Sequence, residues 1–199
     1  MAGVVVPFRG PGGKSRLGAP LGERLGLAML ADVLVACTAV GRTVLVTADE
    51  DASALSEELG ASVIPDPGGG QGAAVAAGLA ELDERPILVV NADLPRATAR
   101  DLLALLGAAP PDGMALVRAR DGTTNALVLP APHLFEPVYG AGSAERFRQH
   151  AQRLGLELAE ADIPGLVEDV DEPEDLVRFD GDLGPRTRAA LSQLAGLAR

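Results

Sequence analysis

The chain has 199 residues, 47% of them hydrophobic, and a formal net charge of −11. That length supports one domain, 1–199, with a substantial core. The acidity argues against a general binder of phosphate backbones, and an aromatic content of 3% without Trp argues against a base-stacking surface.

Residues 3–8, GVVVPF, read as a buried strand that enters a loop rich in Gly and Pro. Residues 21–39 repeat Leu and Ala at helical spacings. The run 42–48 is a β-branched strand, and Asp49 to Gly60 a helix with acids early and glycine at its end. A short strand, 61–66, precedes the second glycine-rich loop, 67–72, and a small-residue helix from Gln71 to Leu82. Residues 85–95, RPILVVNADLP, give the central strand, apolar without alternation as strands buried on both faces are. Thr98 caps a helix to Leu106. Strands at 113–120 and 125–131 flank the turn DGTT, and YGAGS leads into a helix from about Ala144 to Leu154. Residues 156–163 alternate like a strand, 165–176 are acidic and turn-rich, and 185–197 are helical. Strand–helix repeats followed by strands close together predict an α/β fold. It is a mostly parallel sheet with helices on both faces, extended by antiparallel strands.

The lone Cys37 excludes an intrachain disulfide and reads as a buried small hydrophobe. No apolar run is long enough to span a bilayer, and the N-terminus lacks the pattern of a signal peptide. A soluble, cytoplasmic protein is expected.

Four stretches carry chemistry. The loop after the first strand places Arg9, Lys14 and Arg16 among glycines, at the sheet edge where α/β folds bind ligands. Its backbone N–H groups and cations suit phosphates, although it spells neither a Walker A loop nor G-x-G-x-x-G. A solvated surface loop is the alternative. Asp93 directly follows the central strand and is an oxygen ligand suited to Mg²⁺, or else a turn-former. In EDVDEPEDL, Asp169 and Asp171 at i, i+2 share one side of an extended segment. With Asp93 they would make a metal site; alone they would be a solvated acidic turn. Thr123, Thr124 and Asn125 offer hydroxyl and amide donors, and Gly140 and Gly142 precede Ser143, where a helix N-terminus could receive an anion or Ser143 could serve as an N-cap. His133 and His150 sit in no catalytic context.

Taken in order, VVVPFRGPGGKSRL, LAMLADVLVA, NADLP, DGTTNALVL, YGAGS and DVDEPEDL resemble one family over nearly the whole chain. It is the guanylyltransferase family that makes the activated three-carbon precursor of coenzyme F(420), acting on phosphoenolpyruvate or 2-phospho-L-lactate. The tail LGPRTRAAL is similar to the phosphoenolpyruvate-using branch. Two positions depart from the family pattern. Gly72 stands where G-L-N-A-A has Asn, and Phe147 stands where a His commonly follows the G-x-G-S serine.

The resemblance implies a Rossmann-like nucleotidyltransferase fold and transfer of GMP from GTP with release of pyrophosphate. It implies Lys14, Arg16 and Asp93 as catalytic residues, and Pro7, Arg9, Lys14, Arg16, Asp66, Gln71, Gly72 and Ala73 around the nucleotide. Thr124, Asn125, Gly140 and Ser143 would contact the three-carbon phosphate, and Asp93, Asp169 and Asp171 would hold Mg²⁺. The expected partners are the two small-molecule substrates, with no nucleic acid and no membrane. A homodimer and a hand-off of a labile product to the next enzyme are compatible with it. The rival readings are a molybdopterin-type or sugar-phosphate nucleotidyltransferase and a non-catalytic nucleotide-binding module. An ionised phosphate nucleophile needs no general base, which fits a chain without a catalytic His or Cys.

Overall fold

The computed structural model of the chain describes residues 1–10, 21–170, 175 and 182–197. The apolar runs form strands β1 (Ala2–Pro7), β2 (Gly41–Thr47), β3 (Ser62–Pro65), β4 (Ile87–Val90), β5 (Met114–Arg118), β6 (Thr124–Leu129) and β7 (Leu158–Glu160). The helices are α1 (Leu21–Thr38), α2 (Glu50–Glu58), α3 (Gln71–Ala80), α4 (Ala99–Ala108), α5 (Ser143–Leu154), α6 (Pro164–Val167) and α7 (Pro185–Leu197). Among the described residues, no helix is long and apolar enough to cross a membrane.

The strands make one sheet in the order β3-β2-β1-β4-β6-β5-β7. β1 pairs in parallel with β2 and β4, and β2 with β3. β6 is antiparallel to both of its neighbours, β4 and β5, whereas β7 pairs in parallel with β5. The antiparallel extension is therefore a single reversed strand, and β5 and β7 regain the direction of β4.

Alternate side chains of each central strand feed opposite cores. Val4 and Val6 of β1, with Leu88 and Val90 of β4, pack under α1, α2, α4 and α6 through Leu30, Leu34, Ala52, Leu102 and Leu166. Val5, Ile87 and Val89 face the other way, against Val75 and Leu79 of α3 and Phe147 and Ala151 of α5. Every residue of β4 is buried, which is why its sequence shows no alternation.

Local chemistry sets the helix ends. The Asp49 carboxylate accepts from the Ala52 N–H at 2.8 Å. Thr98 and Asp101 form a reciprocal capping box at the start of α4. At α5 the expectation of a Ser143 cap is corrected. Gly142 occupies the cap with φ 72°, a left-handed conformation that glycine adopts without strain, and Ser143 is already helical. Its hydroxyl donates to Thr124 Oγ1 at 3.1 Å instead.

The helix α7 is clasped to α1. Asp32 of α1, only 6% exposed, accepts from the Arg186 N–H, the Thr187 N–H and the Thr187 hydroxyl at 3.2, 2.9 and 2.8 Å. A Cβ on Gly184 would lie 2.2 Å from Asp32 Oδ2, so no larger residue fits beside the carboxylate. Leu25 and Met29 of α1 close over Val170, Leu183 and Leu191 in a separate small core.

Candidate active site

The chain runs from β1 outward through β2 to β3, then returns to place β4 on the other side of β1. Such a reversal opens a crevice beyond the carboxyl ends of the two central strands, where ligands of open α/β sheets bind. A cavity of about 300 Å³ lies there. Pro7, Arg9 and Gly10 line it from the end of β1, Asp66 and Gln71 from the β3–α3 connection, and Asn91 and Asp93 from the end of β4. Three segments distant in sequence thus converge at one edge.

Arg9 reaches across the mouth. Its Nη2 lies 3.7 Å from where a Cβ on Gly70 would stand, so the guanidinium covers the second glycine-rich loop. That loop is shaped by Asp66, whose carboxylate accepts from the Gly68 N–H at 2.8 Å. Gly72 and Ala73 follow Gln71 in the first turn of α3, just outside the residues that line the cavity. The departure at Gly72 has a steric cause. A Cβ there would come within 2.6 Å of Pro137 Cβ and 3.2 Å of its Cα. The helix and the 135–138 segment touch where the family's Asn would stand.

Asp93, which lines the cavity, accepts at its carbonyl from the Val170 N–H at 3.2 Å. This bond brings the backbone next to Asp169 alongside Asp93. Asp171, Lys14 and Arg16 lie outside the described residues. Among the described residues, no group of three or more His, Cys, Asp and Glu side chains is close enough to hold a metal ion.

Thr124, Asn125 and Ser143 are brought together but buried, at 2%, 1% and 0% exposure. None of them lines the cavity. Because β6 is reversed, its first residues rather than its last stand at the carboxyl edge. The Asn125 amide donates to the Leu166 and Val167 carbonyls of α6 at 3.0 and 3.1 Å, so both its protons are spent inside the protein. Gly140 is exposed with φ 102°. Its loop is held by Arg146, which donates to the carbonyls of Val138, Tyr139 and Ala141 at 3.0, 2.9 and 2.5 Å.

Asn91 is the residue the sequence reading missed. It accepts from Gln71 Nε2 at 2.7 Å and donates to the Thr124 carbonyl at 3.3 Å and to Asn125 Oδ1 at 3.4 Å. Its signal was available: an amide that interrupts a buried apolar run at the end of the central strand.

Phe147, His150 and Cys37 play structural parts. Phe147 is fully buried against Phe135 and Tyr139, with ring centroids 6.4 and 5.2 Å away. His150 is pinned between the Leu134 carbonyl, 2.7 Å from Nε2, and Glu136, 2.5 Å from Nδ1. Cys37 is buried, and desolvation pushes its thiol far above the usual range.

The comparisons with known proteins agree with this geometry. Residues 11–165 match the family model of the MobA-like NTP transferase domain. The chain is 38% identical over 179 residues to a phosphoenolpyruvate guanylyltransferase of Sphaerobacter thermophilus, covering 84% of this chain and 86% of that protein. It is 40% identical over 197 residues to a 2-phospho-L-lactate guanylyltransferase of Natrialba magadii, covering 87% and 81%. Its fold matches a crystal structure described as a nucleotide-diphospho-sugar transferase from Desulfovibrio desulfuricans, with a TM-score of 0.80 at 17% identity over 99% of this chain and 97% of that one. A nucleotidyl transferase from Methanothermobacter matches with a TM-score of 0.67 at 17% identity, over 97% and 99%. With a reversed β6 in an otherwise parallel sheet, a ligand crevice between β1 and β4, and relatives of this identity along most of its length, the chain belongs to the phosphoenolpyruvate / 2-phospho-L-lactate guanylyltransferase family, within the MobA-like NTP transferases.

Proposed function

We propose that the protein transfers GMP from GTP to the phosphate of phosphoenolpyruvate or 2-phospho-L-lactate and releases pyrophosphate, a step in building coenzyme F(420). The observation that carries this reading is the cavity between β1 and β4. Arg9 and the glycine-rich loop before α3 line it together with Asp93, whose carbonyl accepts from the N–H of Val170, the neighbour of Asp169. Relatives that are phosphoenolpyruvate and 2-phospho-L-lactate guanylyltransferases support the same reaction.

In this reading GTP lies over the β1 loop and the β3–α3 loop. Arg9 and backbone N–H groups face its phosphates, with Lys14 and Arg16 contributing on the strength of the sequence alone. Pro7, Asp66, Gln71, Gly72 and Ala73 frame the nucleoside. An oxygen of the acceptor phosphate attacks the α-phosphorus. A new P–O bond forms as the bond to the bridging oxygen breaks, and the electron pair leaves with pyrophosphate. The nucleophile is already ionised at neutral pH, so the protein's task is positioning two anions against their repulsion. Of the residues expected at the acceptor end, Gly140 is exposed and would meet the phosphate directly, whereas Thr124 and Ser143 are buried and would act by shaping the β6 and α5 termini around it. Asn125 supports that end from beneath through α6.

The donor set fits Mg²⁺, which takes hard oxygen ligands, keeps several waters and needs only one or two carboxylates beside substrate phosphates. In this reading Asp93 and Asp169 would supply them, and Asp171 would add a third carboxylate. When bound, the ion would neutralise charge on the α-phosphate and on the departing pyrophosphate.

The test is pyrophosphate release from GTP with Mg²⁺ and phosphoenolpyruvate, 2-phospho-L-lactate or no acceptor. Release that depends on one acceptor supports the reaction and names the substrate. GTP binding without release in any arm refutes it.

A further inference from the structure

A chain of side-chain amides crosses the carboxyl edge of the sheet, and its polarity is fixed at one end. Backbone carbonyls only accept hydrogen bonds. The Leu166 and Val167 carbonyls therefore require Asn125 to turn its Nδ2 toward α6, at 3.0 and 3.1 Å. Asn125 Oδ1 is then directed at Asn91. Together with the Thr124 carbonyl it presents two acceptors, at 3.4 and 3.3 Å, and only Asn91 Nδ2 can answer both. Asn91 Oδ1 is thereby turned to Gln71, which must meet it with Nε2, at 2.7 Å. Reversing the Gln71 amide would set two oxygens at that separation with no proton between them. Its outer end is consequently Oε1, an acceptor with no partner among the described residues, on a side chain that lines the cavity.

We propose that Gln71 determines nucleoside specificity as a hydrogen-bond acceptor, and that Asn91 is a positioning residue that holds its amide in that orientation. The group selected is an N–H or O–H donor of the nucleoside. Guanine offers N1–H and the 2-amino group; ribose offers two hydroxyls. The inference rests on the nucleotide reading of this cavity. A neutral hydrogen bond of this kind is worth roughly three- to tenfold in affinity.

The experiment measures dissociation constants calorimetrically for GTP and four analogues on the full chain. 2′-DeoxyGTP and 3′-deoxyGTP each lack a ribose donor. ITP lacks the 2-amino group, and 1-methylGTP lacks N1–H. Wild type should bind one analogue about three- to tenfold more weakly than GTP, and that analogue identifies the donor. Gln71→Met should reduce GTP to the level of that analogue and abolish the preference. Asn91→Leu should also erase the preference, since the Gln71 amide is then free to turn. Asn91→Asp still accepts from Gln71 Nε2 and should keep the preference. It should nevertheless melt at lower temperature, because its oxygens face Thr124 O and Asn125 Oδ1. A purely structural Asn91 would lower the melting temperature in both variants and change the preference in neither.

Equal affinity for GTP and all four analogues in wild type overturns the inference. So does a preference that persists in Gln71→Met, a readout that stands even where an Asn91 variant fails to fold. Wild type that binds no GTP overturns the nucleotide reading and this inference together. GTP binding without pyrophosphate release overturns the proposed reaction alone and leaves the preference measurable.

Discussion

Replacing Asp32 by Ala should loosen α7 without touching the sheet. The carboxylate is buried and accepts from two backbone N–H groups and one hydroxyl at the start of that helix. It also places a negative charge at the positive end of the helix dipole, worth up to about 2 kcal/mol in partly buried geometry. Losing an N-cap acceptor typically costs about 1 kcal/mol, and each buried donor left without a partner costs about 1–3 kcal/mol. Alanine is the better helix former within α1 by roughly 0.5 kcal/mol, which offsets part of the loss. The net expectation is about 2–3 kcal/mol, capped by the free energy of undocking α7, because beyond that point the helix simply detaches. For a chain of this size that corresponds to a fall in Tm of about 4–12 °C. Asp32→Asn keeps one acceptor oxygen and should fall between wild type and Ala. Urea unfolding followed by circular dichroism gives the magnitude. Limited proteolysis gives the location, with new cleavage expected within 182–193. Asp32→Ala within about 0.5 kcal/mol of wild type, with an unchanged cleavage pattern, would refute the clasp.

Gly72→Ala places a methyl group 2.6 Å from Pro137 Cβ and should cost about 1–3 kcal/mol by overpacking, read as a lower Tm. An unchanged Tm would show that the 135–138 segment yields freely. Cys37 should ignore a thiol reagent such as Ellman's in the native protein and react on unfolding, since it is inaccessible and burial disfavours its thiolate. Rapid native labelling would contradict its place in α1. Asp93→Asn, and likewise Lys14→Ala, should lower turnover by about a hundredfold or more while Tm stays near wild type. Near-normal turnover in either would remove that residue from the proposed mechanism.

The architecture was legible because its signals are local. Val4–Val6 and Ile87–Val90 lie at the centre of the sheet and are buried on both faces, so their apolar runs announce them. Asp49 and Thr98 cap where side-chain chemistry says they should. The element bounds were less legible. The run 85–95 yields a strand of only four residues, because pairing stops where β4 leaves its neighbours. The one-turn helix α6 was not foreseen, since four residues carry no periodicity. The site divides in the same way. Arg9, Asp66, Gln71 and Asp93 line the cavity; Arg9 and Asp93 could be picked out by type and by place after a strand, Asp66 and Gln71 only through the family resemblance. The burial of Thr124, Asn125 and Ser143 could not, because it depends on α6 and α5 folding over the reversed strand. Neither Asn91's three partners nor the contact of Gly72 with Pro137 has any local signature.

The clasp between Asp32 and Thr187 joins residues 155 positions apart. It therefore has a bearing on how the chain matures as it is made. Strands β1 to β3 and their helices can pair as soon as they emerge from the ribosome, because their contacts are near in sequence. The face of α1 carrying Leu25 and Met29 cannot be covered then, since Leu183 and Leu191 have yet to be translated. Met29 lines the cavity and packs beside Val170, which is bonded to Asp93. A nascent chain can thus own a nearly complete sheet while one wall of its crevice still lacks its brace. The docking of α7 on α1 closes it.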